Sequence, residues 1–209
     1  MKKIYLRILK ILDLKSLAIL RSLISYDKKG AQQLSINDDL EIYNEHKKYF
    51  GQFIQPGTGK VILDFGCGTG RYLTQFQNFQ FTYLVDISKE NLKLASQKAK
   101  NLKIKHQIIR SSLFSLDRKV DYFFSVGVFG QFYQIDTAVL QKIESLLIKN
   151  GKAVFTVKID NATNNEVLAI EEGKLQALLV NYNHKVHKKY LTGVSGIAEY
   201  FYTIELFKN

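Results

Sequence analysis

The decapeptide Val61–Gly70, VILDFGCGTG, decides how the rest of this 209-residue chain is read. Val61, Ile62 and Leu63 lead into Asp64, and glycine then recurs at alternate positions, Gly66, Gly68 and Gly70. An apolar, β-branched run of this kind reads as a buried strand, and the glycines after it mark a tight turn that tolerates no side chain. Such a turn lets the backbone approach a ligand closely and aims free N–H groups of the next helix at it. Three ligand chemistries compete for the turn. A P-loop requires Lys-Ser or Lys-Thr after its last glycine, and Arg71-Tyr72 stands there instead. A nicotinamide dinucleotide fold requires GxGxxG and meets Arg71 at its third glycine, although Asp86 suits its acidic partner. The pattern D-x-G-x-G-x-G is met by Asp64, Gly66, Gly68 and Gly70.

Working outward, strands and helices alternate. The stretch RYLTQFQNF fits a short helix, and FTYLVDIS a second buried strand ending at Asp86. SKENLKLASQKAKNL is an amphipathic helix capped by Ser88, with Leu92, Ala95 and Ala99 on one face. KHQIIRS and VDYFFSVGV are the third and fourth strands; Asp136 caps the helix DTAVLQKIESLL, and a turn at Gly151 leads into the fifth strand, KAVFTVKI. Alternation of this kind requires right-handed crossovers and a parallel sheet covered by helices on both faces. A helix is expected from about Glu166 to Leu179, followed by HKVHKKYL, a Gly193–Gly196 turn and AEYFYTIELF, an antiparallel hairpin. Before the glycine turn, residues 26–38 are polar and read as a loop, and LEIYNEHKKYFGQFI is a helix burying Leu40, Tyr43, Tyr49 and Phe53.

The length fits one domain with a short appendage. The hydrophobic fraction of 46% and aromatic fraction of 12% are those of a soluble globular protein. The lone Cys67 excludes a disulfide framework and a four-cysteine metal site, and it fits a reducing compartment. No metal is expected, because no carboxylate–histidine cluster has ligand spacing. The formal charge of +11 is almost all lysine, the arginines being only Arg7, Arg21, Arg71, Arg110 and Arg118. Nucleic-acid readers use arginine heavily, so nucleic acid is not the expected partner. A basic surface also favours an anionic small substrate or an anionic membrane.

The N-terminal MKKIYLRILKILDLKSLAILRSLISY is interrupted by Arg7, Lys10, Asp13 and Lys15, which rules out a secretory core. No stretch approaches the roughly 20 apolar residues of a membrane span. It reads as one or two basic amphipathic helices packed on the domain or on a second subunit. The other reading is a weak peripheral membrane contact through residues 1–25. The expected organisation is an N-terminal basic helical segment over 1–37 and a cofactor-binding domain over 38–209, in the cytoplasm.

Taken together, these pieces resemble the class I S-adenosylmethionine-dependent methyltransferases over roughly residues 38–209. VILDFGCGTG is similar to their first motif, YLVDIS to the acidic end of their second strand, and VDYFFSVGV to their fourth-strand motif. LLIKNGKAVFTV resembles their turn into the fifth strand. The resemblance implies a Rossmann-like doubly wound α/β sheet of about seven strands. It would be mostly parallel, with an antiparallel C-terminal hairpin strand and added N-terminal helices. It implies S-adenosyl-L-methionine as cofactor and S-adenosyl-L-homocysteine as product. Asp64, Phe65 and the Gly66, Cys67, Gly68 and Gly70 backbone would hold the methionine part. Asp86 would accept hydrogen bonds from both ribose hydroxyls, and Ile87 would pack on the adenine. Ser112 and Leu113 fall beside the adenine, with Ser112 where relatives often carry an acid. Ser125 and Val126 would line the site near the sulfonium.

Many relatives carry a histidine just after the fourth strand, where this chain has Gln131. Glutamine cannot act as a base; it can orient an acceptor, as can Tyr133. His46, on the helix expected to cover the cofactor, is the titratable candidate of most interest, and these three are the candidate catalytic residues. His106 opens a strand away from the site, and His184 and His187 flank the hairpin at the surface. The base-amine methyltransferases of this fold carry an N/D-P-P-Y/F/W motif, which a chain whose only proline is Pro56 lacks. Pyrimidine C5 methylation needs a cysteine nucleophile, and Cys67 is inside the glycine turn. The expected acceptor is an oxygen or nitrogen of a small molecule, such as a sugar or other metabolite. The alternatives are a protein or tRNA acceptor held by the lysine-rich surface, or a catalytically inactive cofactor-binding scaffold.

Overall fold

The computed structural model describes residues 28–38, 42–55, 57–160, 168–192 and 198–209. Its helices are α1 (Lys28–Asp38), α2 (Ile42–Gly51), α3 (Lys89–Asn101), α4 (Thr137–Leu146) and α5 (Glu172–Leu179). Its strands are β1 (Val61–Phe65), β2 (Phe81–Asp86), β3 (His106–Arg110), β4 (Val120–Phe129), β5 (Leu147–Val157), β6 (Asn183–Thr192) and β7 (Ala198–Phe207). They form one seven-stranded sheet in the order β3-β2-β1-β4-β5-β7-β6. The first five strands are parallel, and β7 runs antiparallel to both β5 and β6. The doubly wound sheet with one antiparallel hairpin strand is thus the architecture that the alternation of elements predicts.

The chain starts in the middle of the sheet, winds out through β2 and β3, then returns to lay β4 beside β1. That reversal opens a crevice at the carboxyl ends of β1 and β4, the usual ligand position in open α/β sheets. Both faces of β1 are buried, which is why it reads as a continuous apolar run. Leu63 and Phe65 join Val85, Phe123, Phe155 and the α4 side chains Leu140 and Ile143 on one face. Ile62 joins Leu84, Phe124, Val154, Phe50 of α2 and Leu92 of α3 on the other. Each fully buried Phe or Leu contributes about 1.5–3 kcal/mol.

Two expected caps are present: Ser88 Oγ accepts from Asn91 N at 3.2 Å, and Asp136 Oδ1 from Val139 N at 2.8 Å. Other local expectations are corrected. Residues 28–38 form helix α1 rather than a polar loop, because Ala31 is buried and the helix packs on α3. This helix spans the expected segment boundary between residues 37 and 38. The helix expected from Glu166 begins at Glu172, and Ile170 ahead of it forms an isolated parallel bridge with Ile159. After the glycine turn only Leu73–Phe76 is helical, as one 3-10 turn. The turn expected at Gly151 is an irregularity within β5, with Asn150 at φ 60°. The expected helices within residues 1–26, together with Leu40, Pro56 and the 193–196 turn, lie outside the described residues.

Candidate functional site

The glycine turn leaves β1 and is pinned to the end of β2. Gly66 N and Cys67 N both donate to Val85 O, at 2.8 and 3.0 Å. Gly66 adopts φ 71°, and a Cβ there would come within 2.3 Å of Val128 Cγ2 on β4. Both the left-handed backbone and the close packing demand glycine. At Gly68 (φ 54°) a Cβ would stand 3.3 Å from Leu34 Cδ2, so α1 lies directly over the turn.

A cavity of about 320 Å³ opens between the turn, the ends of β2 and β4, and helices α1 and α2. Asp64 sits in its wall, 2% exposed, and its Oδ2 has no hydrogen-bond partner among the described residues. Burial first, and the charge of Asp86 second, hold the Asp64 carboxyl well above the usual carboxylate range. An isolated carboxylate is costly to bury, so this oxygen is built to meet a donor or a cation.

Asp86 is buried too, yet it is well supplied with donors. Its Oδ2 accepts from Gly68 N at 3.0 Å and its Oδ1 from Ser88 N at 2.8 Å. Burial raises the Asp86 carboxyl above its ordinary value, and the N–H groups of Ser88 and Gly68 oppose the rise, with smaller contributions from the Asn91 amide and the Ile87 N–H. One carboxylate therefore fixes the glycine turn, caps the start of α3 and faces the cavity.

Of the residues expected at the site, Asp64, Phe65, Gly66, Cys67, Gly68, Asp86, Ile87 and Val126 line this cavity. Gln131 and Tyr133 line it as well, from the turn that ends β4. The Tyr133 hydroxyl accepts from Leu113 N at 3.3 Å, and its ring packs against Phe65 at 5.6 Å. Burial raises the Tyr133 phenol above its ordinary value. The remaining expectations are not met by the cavity wall. Ser125 is fully buried, donating its Oγ to Phe65 O at 2.8 Å, so it ties β4 to β1. Leu113 is in the core, Ser112 pairs with Ser115, and Gly70 packs against Leu73. His46 is buried among Tyr43, Phe50 and Phe201, with ring centroids 5.2 to 6.3 Å away. His106 bonds to Ser96 and the Ile104 carbonyl, and His187 pairs with Glu205 beyond the site.

The wall also includes residues that the sequence reading passes over. Asn91 follows the capping Ser88 by three residues, and that first-turn position at a strand end was the signal for it. Arg71 lies over the Tyr43 ring at 3.8 Å, a contact between segments that no local pattern announces. Among the described residues no group of His, Cys, Asp and Glu is arranged to hold a metal ion. No described helix is long and apolar enough to cross a membrane.

A doubly wound sheet with an acid at the ends of β1 and β2 and a glycine turn between them defines a nucleoside-cofactor protein. Comparison with known proteins is more specific. A family model described as a methyltransferase domain matches residues 56–193. The chain belongs to that family and is a class I methyltransferase. No curated protein sequence matches it. The fold is shared with the N-methyltransferase NodS of Bradyrhizobium japonicum WM9, solved with S-adenosylhomocysteine. That match has a TM-score of 0.70 and 14% identity, and covers 94% of this chain and 99% of that one. Magnesium protoporphyrin IX methyltransferase of Synechocystis PCC 6803, solved with S-adenosylmethionine, matches with a TM-score of 0.67 and 16% identity, covering 95% and 98%. The YcgJ protein of the Bacillus has a TM-score of 0.62 and 13% identity, covering 79% and 99%.

Proposed function

We propose that this methyltransferase takes its methyl group from S-adenosyl-L-methionine and passes it to an oxygen or nitrogen of a small-molecule acceptor, such as a sugar or other metabolite. The observation that carries the donor is the buried Asp64 Oδ2 beside the glycine turn, which has no hydrogen-bond partner among the described residues. A cationic amino group would satisfy it and remove the penalty of burying a lone carboxylate. Asp64 and the backbone from Gly66 to Gly68 would hold the methionine part, Asp86 the ribose, and Ile87 the adenine face. Val126 would border the reacting end. Bound S-adenosylmethionine supplies a methyl group already attached to its own leaving group, so the protein is left with alignment and the exclusion of water.

The lining supports that division of labour. Among the described residues the lining includes no histidine or lysine, and the carboxylates of Asp64 and Asp86 face the cavity from the donor side. Gln131 orients an acceptor without taking its proton, and the Tyr133 hydroxyl is engaged by Leu113. These features favour an acceptor atom that already offers a lone pair at neutral pH. A cavity of about 320 Å³ is at the small end for a ligand site, which suits a nucleoside-sized donor with the acceptor entering at the mouth. The magnesium protoporphyrin enzyme, which shares the fold over 95% of this chain, supports a small-molecule acceptor by analogy.

Calorimetry with S-adenosylmethionine and S-adenosylhomocysteine tests the donor: micromolar binding is expected, and no binding to either overturns it. Methyl transfer is then assayed on small molecules, bulk tRNA and protein. Turnover confined to one of the macromolecules would reassign the acceptor, and binding without turnover on any of them would make the chain a scaffold.

A further inference from the structure

Helix α2 borders two hollows. Tyr43 at its start lines the cavity already described, and Tyr49 near its end lines an open groove of about 660 Å³ that shares no lining residue with that cavity. The groove is floored by β5, β7 and β6, where Lys152 pairs with Phe207 and Lys185 stands opposite Glu205. Residues two apart on a strand share a face, which sets His187 beside Lys185 and Glu205 beside Phe207. Among the described residues three ammonium groups, of Lys152, Lys185 and Lys188, line the groove against the single carboxylate of Glu205.

That carboxylate is already engaged. Glu205 Oε2 accepts from Lys152 Nζ at 2.9 Å, and Oε1 meets His187 Nε2 at 2.8 Å. Lys188 pairs with Glu172, outside the groove wall. Lys185 forms no ion pair among the described residues; its Nζ lies 5.7 Å from the centroid of the Phe207 ring, and Lys152 Nζ lies 6.0 Å from the same ring. Two ammonium groups thus flank one ring, and each keeps unused N–H donors, because an ammonium carries three. An anion relieves this excess of positive charge, and phosphate suits lysine as a point-charge partner. Gln52 and Gln55, just past the end of α2, also line the groove. Their amides both donate and accept, the capacity that a polyhydroxy compound requires. The volume exceeds what a bare phosphate ion fills and falls in the range of small-molecule sites. We propose that this groove is a second ligand site for a small phosphorylated sugar or polyol, with its phosphate on Lys152 and Lys185 and its hydroxyls on Gln52 and Gln55.

The test is calorimetry on the full chain with glucose 6-phosphate, glycerol 3-phosphate, inorganic phosphate and glucose at physiological ionic strength. At least one organic phosphate should bind about tenfold more tightly than inorganic phosphate, through the added hydrogen bonds to its hydroxyls, and glucose should not bind. Lys185→Gln should weaken the organic phosphate about tenfold, the loss of one hydrogen bond to a charged group. Its melting temperature should match that of the native chain, since Lys185 bonds no carboxylate among the described residues. Gln52→Ala should narrow the preference over inorganic phosphate. No binding of either organic phosphate would overturn the proposal, as would equal affinity in Lys185→Gln. Competition by S-adenosylhomocysteine would also overturn it, by placing the phosphate in the donor cavity. Bulk tRNA bound by the native chain and lost in Lys185→Gln, with no organic phosphate bound, would make the groove a nucleic-acid surface instead.

Discussion

Asp64 at the end of β1 and Asp86 at the end of β2 face one cavity, and the second destabilises the charge of the first. Burial is the larger cause of the raised Asp64 pKa, with the Asp86 charge adding to it. The two acids differ in support: Asp86 receives backbone N–H groups on both oxygens, and Asp64 Oδ2 receives no donor from the described residues. The protein therefore holds one carboxylate in place and leaves the other for a ligand to satisfy.

Asp64→Asn should accordingly raise the stability of the ligand-free protein while weakening the donor by about 1.5–3 kcal/mol, the scale of a hydrogen bond to a charged group. The sign follows from linkage. Below the unfolded value of about 3.9 the acid is protonated in both states, and nothing is lost. Between that value and the higher folded-state value the unfolded acid ionises while the buried carboxyl keeps its proton, so stability falls as the pH rises through this window. Melting curves should place the variant above the native chain at neutral pH, by about 1–3 kcal/mol, with the gap closing toward pH 4. A gap that does not vary with pH would contradict this account.

Asp86→Ala should weaken S-adenosylhomocysteine binding by about 1.5–3 kcal/mol in calorimetry. It should also lower the melting temperature, because Gly68 N and Ser88 N lose their acceptor. Unchanged affinity would show that the ribose lies elsewhere.

Two glycines with similar backbone angles should respond differently to alanine. At Gly66 (φ 71°) the new Cβ meets Val128 at 2.3 Å. The backbone costs about 1–3 kcal/mol, and overpacking about as much again. At Gly127 (φ 76°) the new Cβ has no atom of the described residues within 4 Å beyond its chain neighbours, so only the backbone cost remains. Denaturant unfolding of the two variants measures the difference, and equal losses would refute the packing argument.

Glu205 on β7 bonds Lys152 at 2.9 Å and His187 at 2.8 Å. Burial pushes its carboxyl up, but Lys152 and His187 outweigh burial and leave it below the ordinary glutamate value. Its contribution is therefore present above the unfolded value of about 4.3 and is lost as the pH falls through the lower folded-state value. Glu205→Gln should cost about 1–3 kcal/mol at pH 7 and progressively less in acid. Thermal melts from pH 7 to pH 3 check both parts.

Tyr133→Phe should cost about 1 kcal/mol of stability, the net worth of the bond from Leu113 N. The pH dependence of methyl transfer should stay as in the native chain, because the buried phenol positions the loop and takes no proton. A displaced pH–rate profile would instead assign Tyr133 a role in proton transfer.

The order of elements was legible in the sequence because it depends on local chemistry. Alternating apolar strands and capped helices, with Ser88 and Asp136 at the caps, require crossovers that build a parallel sheet, and the hairpin follows from two β-rich runs. The glycine turn and the acids at Asp64 and Asp86 were legible for the same reason: each is adjacent in sequence to the strand end that presents it. What the sequence could not decide was the partner of each side chain. Ser125 and Val126 are neighbours, yet one bonds to Phe65 O inside the sheet and the other lines the cavity, since successive strand residues point to opposite faces. His46 is buried among aromatic rings from α2 and β7, and Leu34 closes over Gly68, through contacts between distant segments. Asn91 became part of the cavity wall only when the first turn of α3 was set against the end of β2. Backbone geometry and turn chemistry are encoded over a few residues, whereas burial and hydrogen-bond satisfaction arise only when the helices pack on the sheet.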